Sequence, residues 1–285
     1  MSRVLVVGNR SLVGRAVGRF LGDAGFSVTW AGRSEADVLF DVSAPFCLPH
    51  GLSGIEAVVM VAGDFGGATG EDFERAEKVN AIGALNVCRL AEAIGARHVT
   101  LVSSISATYR PGDPYFGSYA LTKRHGEELA DLFCDQKGLP LAVLRPTQIY
   151  DDAGAGRRHQ GLLYAVIDRA EAGETIEFFG SHDARRNFLH VDDFAEIVAR
   201  SVARGLEGVY DCPHPESVRL SHLGRTALEV FGQGGEIRFL PDRSDLPDVP
   251  DVSGEALYDA VGYRPVIDLA EGIRRIKRHR EEAMA

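Results

Sequence analysis

Tyr119-Ala120-Leu121-Thr122-Lys123 sets a phenol and an ammonium four residues apart. On a helix, positions i and i+4 share a face, so both groups can enter one cleft. A free tyrosine titrates near pH ~10 and is a poor acid or base at neutral pH. An ammonium about 4 Å away, at an effective dielectric of about 20, favours the phenolate by roughly 4 kcal/mol. That is about three pKa units before desolvation takes some back. A lysine so placed would make Tyr119 a usable proton donor and acceptor. The pattern alone recurs by chance in helices, so its meaning rests on the elements that position it.

Residues 4–7 are a continuous apolar run closed by glycine, the pattern of a parallel strand buried on both faces. Gly8-Asn9-Arg10-Ser11-Leu12-Val13-Gly14 follows, and then a helix pattern with Val13, Val17, Phe20 and Leu21 on one face. Gly22 and Gly25 end that helix, and residues 26–31 read as a second strand. Strand, glycine turn, helix and strand within about thirty residues are the setting of a dinucleotide-binding turn. Gly8 permits the tight bend and Gly14 lets the helix approach the sheet. The helix start at Ser11, Leu12 and Val13 offers N–H groups and a positive dipole end to a pyrophosphate. Ser11 occupies the middle position, where a small hydroxyl could also donate to phosphate.

The second strand ends Ala31-Gly32-Arg33. An acid at this point suits the ribose hydroxyls of NAD, whereas an arginine suits the extra phosphate of NADP. Arg10 adds a second cation at the same corner, so these residues favour NADP(H) over NAD(H). Asp41 and Val42 close the next short strand, at the adenine edge. Residues 55–62 form a fourth strand running into Val61-Ala62-Gly63, and 72–94 form one or two helices that include Asn80. Residues 98–103 form a fifth strand ending in Ser103-Ser104-Ile105-Ser106. A loop over 110–115 leads to the helix of Tyr119 and Lys123. A sixth strand over 139–144 closes with Arg145-Pro146.

Beyond it, 151–158 is loop, 161–172 helix and 175–179 strand. Residues 186–193 form a short strand leading to a helix, with Asp192 as its N-cap and Asp193 and Glu196 in its first turn. Further helices span 220–231 and 255–261. The last runs from Leu269 into Lys277-Arg278-His279-Arg280, a solvated helix end where cations suit the dipole.

The chain has 285 residues, enough for one large domain or two lobes. Its net charge of −10 argues against nucleic acid as a partner. Cys47, Cys88, Cys134 and Cys212 are far apart with no Cys-x-x-Cys pair, which argues against a zinc site or disulfide framework and fits a reducing cytoplasm. The N-terminus runs straight into a strand pattern without a secretory segment. No apolar run is long enough to span a bilayer, so no membrane partner is expected. No metal is expected.

Together these features resemble the extended short-chain dehydrogenase/reductase superfamily, in particular its NAD-dependent epimerase/dehydratase family. The resemblance covers nearly the whole chain. It is carried by the glycine turn at 8–14, Val61-Ala62-Gly63, Asn80-Ala81-Ile82-Gly83, Ser103-Ser104, Tyr119-x-x-x-Lys123, Arg145-Pro146, Gly180, the run 186–193, and Tyr263-Arg264-Pro265. It implies an α/β fold: a doubly wound parallel (Rossmann) sheet from residues 1–150 plus about 187–205. A smaller C-terminal α/β substrate lobe would follow, from 151–186 and 206–285. It implies that Tyr119 is the acid/base, and that Lys123 lowers its pKa and holds the nicotinamide ribose. Ser104 would hydrogen-bond the reacting oxygen, with Ser103 and Ser106 as fallbacks. Asn80 and Pro146 would lie at the cofactor, and Arg186 would grip a substrate diphosphate.

Three departures shape the expected activity. Gln148 stands where nucleotide-sugar enzymes often carry asparagine, which alters the substrate pocket. Asn187 replaces a common aspartate. Ile105-Ser106 stands where sugar dehydratases carry an Asp-Glu pair, so dehydration is disfavoured. The expectation is a cytoplasmic, homodimeric oxidoreductase acting on a nucleotide-linked hexose, with 4-keto reduction favoured. An epimerase with tightly held NAD, a reductase of a non-sugar carbonyl and a non-catalytic cofactor sensor are the alternatives.

Overall fold

A computed structural model describes residues 2–285. In chain order its first half contains β1 (Arg3–Val7), α1 (Leu12–Asp23), β2 (Ser27–Gly32), β3 (Val38–Leu39) and β4 (Ile55–Met60). Then come α2 (Gly70–Glu77), α3 (Gly83–Ala93), β5 (His98–Val102), α4 (Ser118–Lys137) and β6 (Leu141–Pro146). The second half contains β7 (Gln148–Tyr150), α5 (Gly161–Glu171), β8 (Ile176–Phe179), β9 (Arg185–Arg186), β10 (Phe188–His190) and α6 (Val191–Arg204). It continues with β11 (Gly208–Cys212), β12 (Val218–Arg219), α7 (Leu220–Phe231), β13 (Ile237–Leu240), α8 (Glu255–Val261) and α9 (Leu269–Met284).

The described residues divide into two compact units. The first takes the chain up to Pro146 together with Ala195–Cys212 and Glu255–Tyr263. Its seven-stranded sheet runs β11-β6-β5-β4-β1-β2-β3, and every neighbouring pair is parallel. The first six strands of the chain therefore lie in the order 3-2-1-4-5-6, the doubly wound arrangement. The strand order reverses between β1 and β4, and ligands of such sheets bind beyond the strand ends at that point. Continuous apolar runs make this sheet: Val4–Val7 and Val58–Met60 are almost completely buried, as expected of strands covered on both faces. Helix α1 lies close against β2 because Gly18 leaves room for the Trp30 indole.

The second unit takes Thr147–Phe194, Pro213–Gly254 and Arg264–Ala285. It holds three short strand pairs, β7 with β10, β8 with β13 and β9 with β12. Tyr150, Tyr164, Phe178, Leu223 and Ile273 lie in its core. Its α9 is tied down by its basic end: Arg280 pairs with Asp168 and Glu171, and Lys277 Nζ donates to Val230 O. That run is thus a packing clamp as well as a helix terminus.

Several boundaries differ from the sequence expectation. Strand β11 is an edge strand of five residues, exposed at its start, and shows no alternation to read. Because it pairs with β6, it and α8 join the first unit rather than the substrate lobe. Helices α2 and α3 are joined without a break by a π-helical turn at Lys78–Ile82. Asp192 falls inside the first turn of α6 instead of capping it. The His190 Nδ1 accepts the Asp192 N–H, and the Asp193 carboxylate accepts the N–H groups of Val266 and Ile267. Among the described residues no helix is long and apolar enough to cross a membrane.

Candidate active site

The turn between β1 and α1 is shaped by glycine where a side chain cannot go. Gly8 has φ +115° and donates to Ala31 O at 2.9 Å. A Cβ on Gly8 would meet Ala62 N at 2.8 Å, across the point where β1 and β4 diverge. A Cβ on Gly14 would fall on the Gly8 carbonyl and 2.8 Å from Ser11 Oγ. The Ser11 hydroxyl donates to Gly8 O at 3.0 Å and accepts from Gly14 N at 2.8 Å, so it is the N-cap of α1. It fastens the turn rather than offering its proton outward. The first N–H groups of a helix, here from Leu12 and Val13 on, have no partner within the helix. A bare backbone cradle with a positive dipole end fits the pyrophosphate of a dinucleotide.

The corner expected to hold the ribose follows the end of β2. Arg10 Nη1 donates to Ser34 Oγ at 3.3 Å, which swings the guanidinium toward the loop after β2, and Arg33 is exposed there. Asn9 locks that loop by donating to Ser34 O at 3.1 Å and Glu35 O at 2.6 Å. Asp41 is held by Ser43, whose N–H and Oγ both donate to Oδ1. Burial disfavours its charge, but the Ser43 hydrogen bonds and the Arg33 charge outweigh this and hold the carboxyl below its usual range. Val42 is buried after β3.

At the end of β4, the N–H groups of Val61 and Ala62 both reach Val7 O, and Gly63 follows against Lys123, whose Nζ would lie 3.2 Å from a Cβ there. Asn80, in the π-helical turn, is buried and fully occupied. Its Oδ1 accepts from Asp64 N at 2.9 Å, and its Nδ2 donates to Asp64 O at 2.7 Å and Thr122 Oγ1 at 2.9 Å. Its backbone carbonyl lies where a Cβ on Gly126 would stand. Asn80 thus ties the loop after β4 to α4. Ser118 adds a second tie, exchanging hydrogen bonds with Gly67 N and O.

That loop carries Phe65, which no motif marked. Its ring stacks on Tyr119 with centroids 5.0 Å apart and planes at 18°, while remaining 52% exposed. Ser104, in extended backbone, caps a single 3₁₀ turn over Ile105–Thr108 and accepts from Ser106 N. Its hydroxyl lies close enough to the Tyr119 phenol to favour the phenolate. Ser103 instead donates to Glu127, and Ser106 lends only its backbone. Of the three serines, Ser104 alone is brought to the phenol by these contacts.

Lys123 is 6% exposed, and its Nζ donates to Val102 O at 3.0 Å. Burial pushes the Tyr119 phenol up to about 12, with the Ser104 hydroxyl opposing. Burial pulls the Lys123 ammonium down to about 8, with the Glu127 charge opposing. The expected lowering of the phenol is therefore reversed in this state. Desolvation, expected to take back only part of the Coulomb attraction, is the larger effect for both groups here.

In the second unit, Gln148 Nε2 donates to Gln160 Oε1 at 3.2 Å, and its buried Oε1 has no hydrogen-bond partner. Arg186 is buried, and its Nη1 donates to Arg185 O and Pro247 O, both at 2.8 Å. In the first unit, Pro146 ends β6 in a buried position. Among the described residues no group of three or more His, Cys, Asp or Glu could hold a metal.

Known proteins share this arrangement at the level of family and fold. The model of the NAD dependent epimerase/dehydratase family matches residues 4–211. UDP-glucuronic acid decarboxylase 1 of Xenopus tropicalis is 28% identical over 220 residues, covering 70% of this chain and 50% of that protein. The dTDP-4-dehydro-6-deoxy-D-allose reductase of Streptomyces bikiniensis is 30% identical over 126 residues, covering 44% of this chain and 39% of that protein. The chain thus spans about half the length of these curated relatives, or less. Among solved structures, UDP-glucose 4-epimerase of Thermotoga maritima, bound to UDP-glucose, superposes with a TM-score of 0.78 at 20% identity. That match covers 99% of this chain and 100% of the other. RMD of Pseudomonas aeruginosa, complexed with NADPH, superposes with a TM-score of 0.77 at 20% identity over 99% of this chain and 100% of that one. At such identity the structural likeness is one of fold.

Proposed function

Since the chain belongs to the NAD dependent epimerase/dehydratase family, we propose that it is an oxidoreductase that reduces the 4-keto group of a nucleotide-linked hexose at the expense of NADPH. The observation that carries this reading is the Ser104 hydroxyl beside the Tyr119 phenol, one helical turn from buried Lys123. The cofactor, when bound, supplies the hydride. Gly8, Leu12, Val13 and Gly14 would hold its pyrophosphate, with Ser11 fastening that turn; Arg10 and Arg33 would hold its 2′-phosphate, and Lys123 its nicotinamide ribose. Asp41, Val42, Val61, Ala62, Gly63, Asn80 and Pro146 complete that side of the site.

The chain's own part in the reaction is proton handling. Ser104 is both donor and acceptor and orients the carbonyl oxygen beside the phenol. Tyr119 holds its proton at neutral pH, since burial pushes it up to about 12, and gives that proton to the oxygen as the carbon is reduced. The phenol is then reprotonated from solvent. Phe65 covers one face of the Tyr119 ring.

The two cations at the ribose corner favour a reductase, which consumes NADPH, over an epimerase, which recycles a tightly held NAD. The test is to mix the purified chain with nucleotide-linked 4-keto hexoses and either NADPH or NADH. NADPH oxidation at a rate at least ten times that with NADH is expected. Stoichiometric NAD carried through purification, with no NADPH oxidised on any keto sugar, overturns the reductase in favour of the epimerase.

A second reading rests on Arg186. Its Nη1 already donates to the Arg185 and Pro247 carbonyls, which commits part of the guanidinium to its own backbone and leaves fewer donors for a diphosphate. A reductase of a carbonyl without a nucleotide needs none of them. Arg186→Met separates the two: with a nucleotide sugar, KM should rise ten-fold or more, because a charge-assisted bidentate contact is lost. An unchanged KM on every nucleotide sugar favours the non-nucleotide carbonyl.

A further inference from the structure

Glu127 follows Lys123 by four residues, as Lys123 follows Tyr119, so α4 sets three polar side chains along one face. The Tyr-x-x-x-Lys pattern does not call for the third. Glu127 is nonetheless 6% exposed in a helix that leaves other acids in solvent. Its carboxylate is held from two strands. Ser103 Oγ, at the end of β5, donates to Oε1. Arg145, on β6, donates through Nε at 2.9 Å to Oε1 and 3.1 Å to Oε2, and through Nη2 to Oε2. A buried carboxylate fixed at both oxygens cannot turn away from its own helix face.

The groups around Lys123 are few. Tyr119 and Glu127 share α4 with it. Val102 O, at the end of β5, accepts a hydrogen bond from its Nζ, and Gly63 after β4 and the Asn80 amide of the π-helical turn lie close by. Arg145 stands behind Glu127, and Asp211 on β11 lies 3.7 Å from Arg145 Nη1. Burial pushes Asp211 up, with Arg145 opposing. The charges therefore alternate in sign from Lys123 through Glu127 and Arg145 to Asp211, and Glu127 is the carboxylate one helical turn from the lysine.

We propose that Glu127 is a positioning residue that holds Lys123 as an ammonium beneath the acid/base, so that α4 works as a Tyr–Lys–Glu series rather than a Tyr–Lys pair. The inference rests on the reading of Tyr119 and Lys123 given above. A lysine removed from water tends to shed its proton, and one that has done so no longer favours a phenolate. Burial already draws Lys123 down to about 8, and the Glu127 charge is the influence that resists it. Arg145 cannot take this part, being itself positive; it aims the carboxylate. Without the carboxylate the lysine titrates lower still and loses much of its charge at neutral pH. The assistance to Tyr119 is then lost from the alkaline side inward.

The chain has four lysines, at 78, 123, 137 and 277, so the ¹³Cε signals of a lysine-labelled sample resolve each titration, with Lys123→Arg giving the assignment. Wild type, Glu127→Gln and the double variant Glu127→Gln/Arg145→Met are compared as full-length chains, the double variant removing the arginine that Glu127→Gln would strand. In both variants Lys123 is expected to bind its proton at least ten-fold more weakly. The alkaline limb of the kcat–pH profile should move to lower pH by the same factor. A purely structural Glu127 lowers the melting temperature in the single variant, recovers it in the double, and leaves the Lys123 titration where it was; that result overturns the proposal. If the single variant does not fold, the double variant alone decides between these outcomes. If Lys123 shifts but no form of the protein reduces any carbonyl, the positioning role stands and the proposed function falls.

Discussion

Tyr119→Phe should lower kcat for keto-sugar reduction by about 10²–10⁴-fold, the range over which positioned acid–base catalysis acts. The substitution removes one oxygen and little else. The ring that stacks on Phe65 remains, and the backbone of α4 is untouched. The carbonyl oxygen then has only Ser104 beside it, a far weaker acid than a buried phenol backed by an ammonium. Cofactor affinity should stay within about three-fold of wild type, because the turn at 8–14 is remote in the chain and unaltered. Trp30 is the only tryptophan and packs beneath α1, so its emission, quenched by energy transfer to bound NADPH, reads that affinity directly. A kcat within ten-fold of wild type would remove Tyr119 from the reaction.

The second large effect is expected from a single methyl group. Gly14→Ala places a Cβ on the Gly8 carbonyl oxygen and 2.8 Å from Ser11 Oγ. Both neighbours belong to the turn itself, and the nearer is backbone, so the turn must open rather than a side chain give way. Overpacking of this kind costs about 1–3 kcal/mol. The larger consequence is functional: the helix start moves from the point where β1 and β4 part. Cofactor affinity should fall at least ten-fold, and KM for NADPH should rise with it. Gly22→Ala, in the same helix, is the control. Nothing lies within 4 Å of its Cβ position, so it should raise stability by about 0.4–1 kcal/mol and leave NADPH binding alone. Wild-type affinity in Gly14→Ala would show that the turn is not the pyrophosphate cradle.

Much of this site is legible in the sequence because its makers are local. A glycine turn between an apolar run and an amphipathic helix is written within about fourteen residues, and Tyr119 and Lys123 within five. Their physical basis is short-range: φ freedom at Gly8, helix periodicity in α4, and continuous burial in β1 and β4. The strand order follows the same logic, since alternating strand and helix patterns lead to a doubly wound sheet. What is not legible depends on partners distant in the chain. Phe65 gains meaning only from the ring it stacks on, and Asn80 only from Asp64 and Thr122. Glu127 is one acid among several on α4 until Arg145 and Ser103 close on it.

The sequence by itself determined the parallel α/β framework, the glycine turn after β1 and the helix face that presents a phenol and an ammonium. All of these follow from periodicity and glycine placement within short stretches. Only the tertiary structure decided which serine meets the phenol, that the Ser11 hydroxyl caps α1, and that β11 joins the main sheet. It also reversed the expected shift of Tyr119, which lies above its ordinary value rather than below. The reason is common to all four. Desolvation, hydrogen-bond competition and strand pairing are set by whatever the folded chain brings alongside a group, and neighbours in space need not be neighbours in sequence.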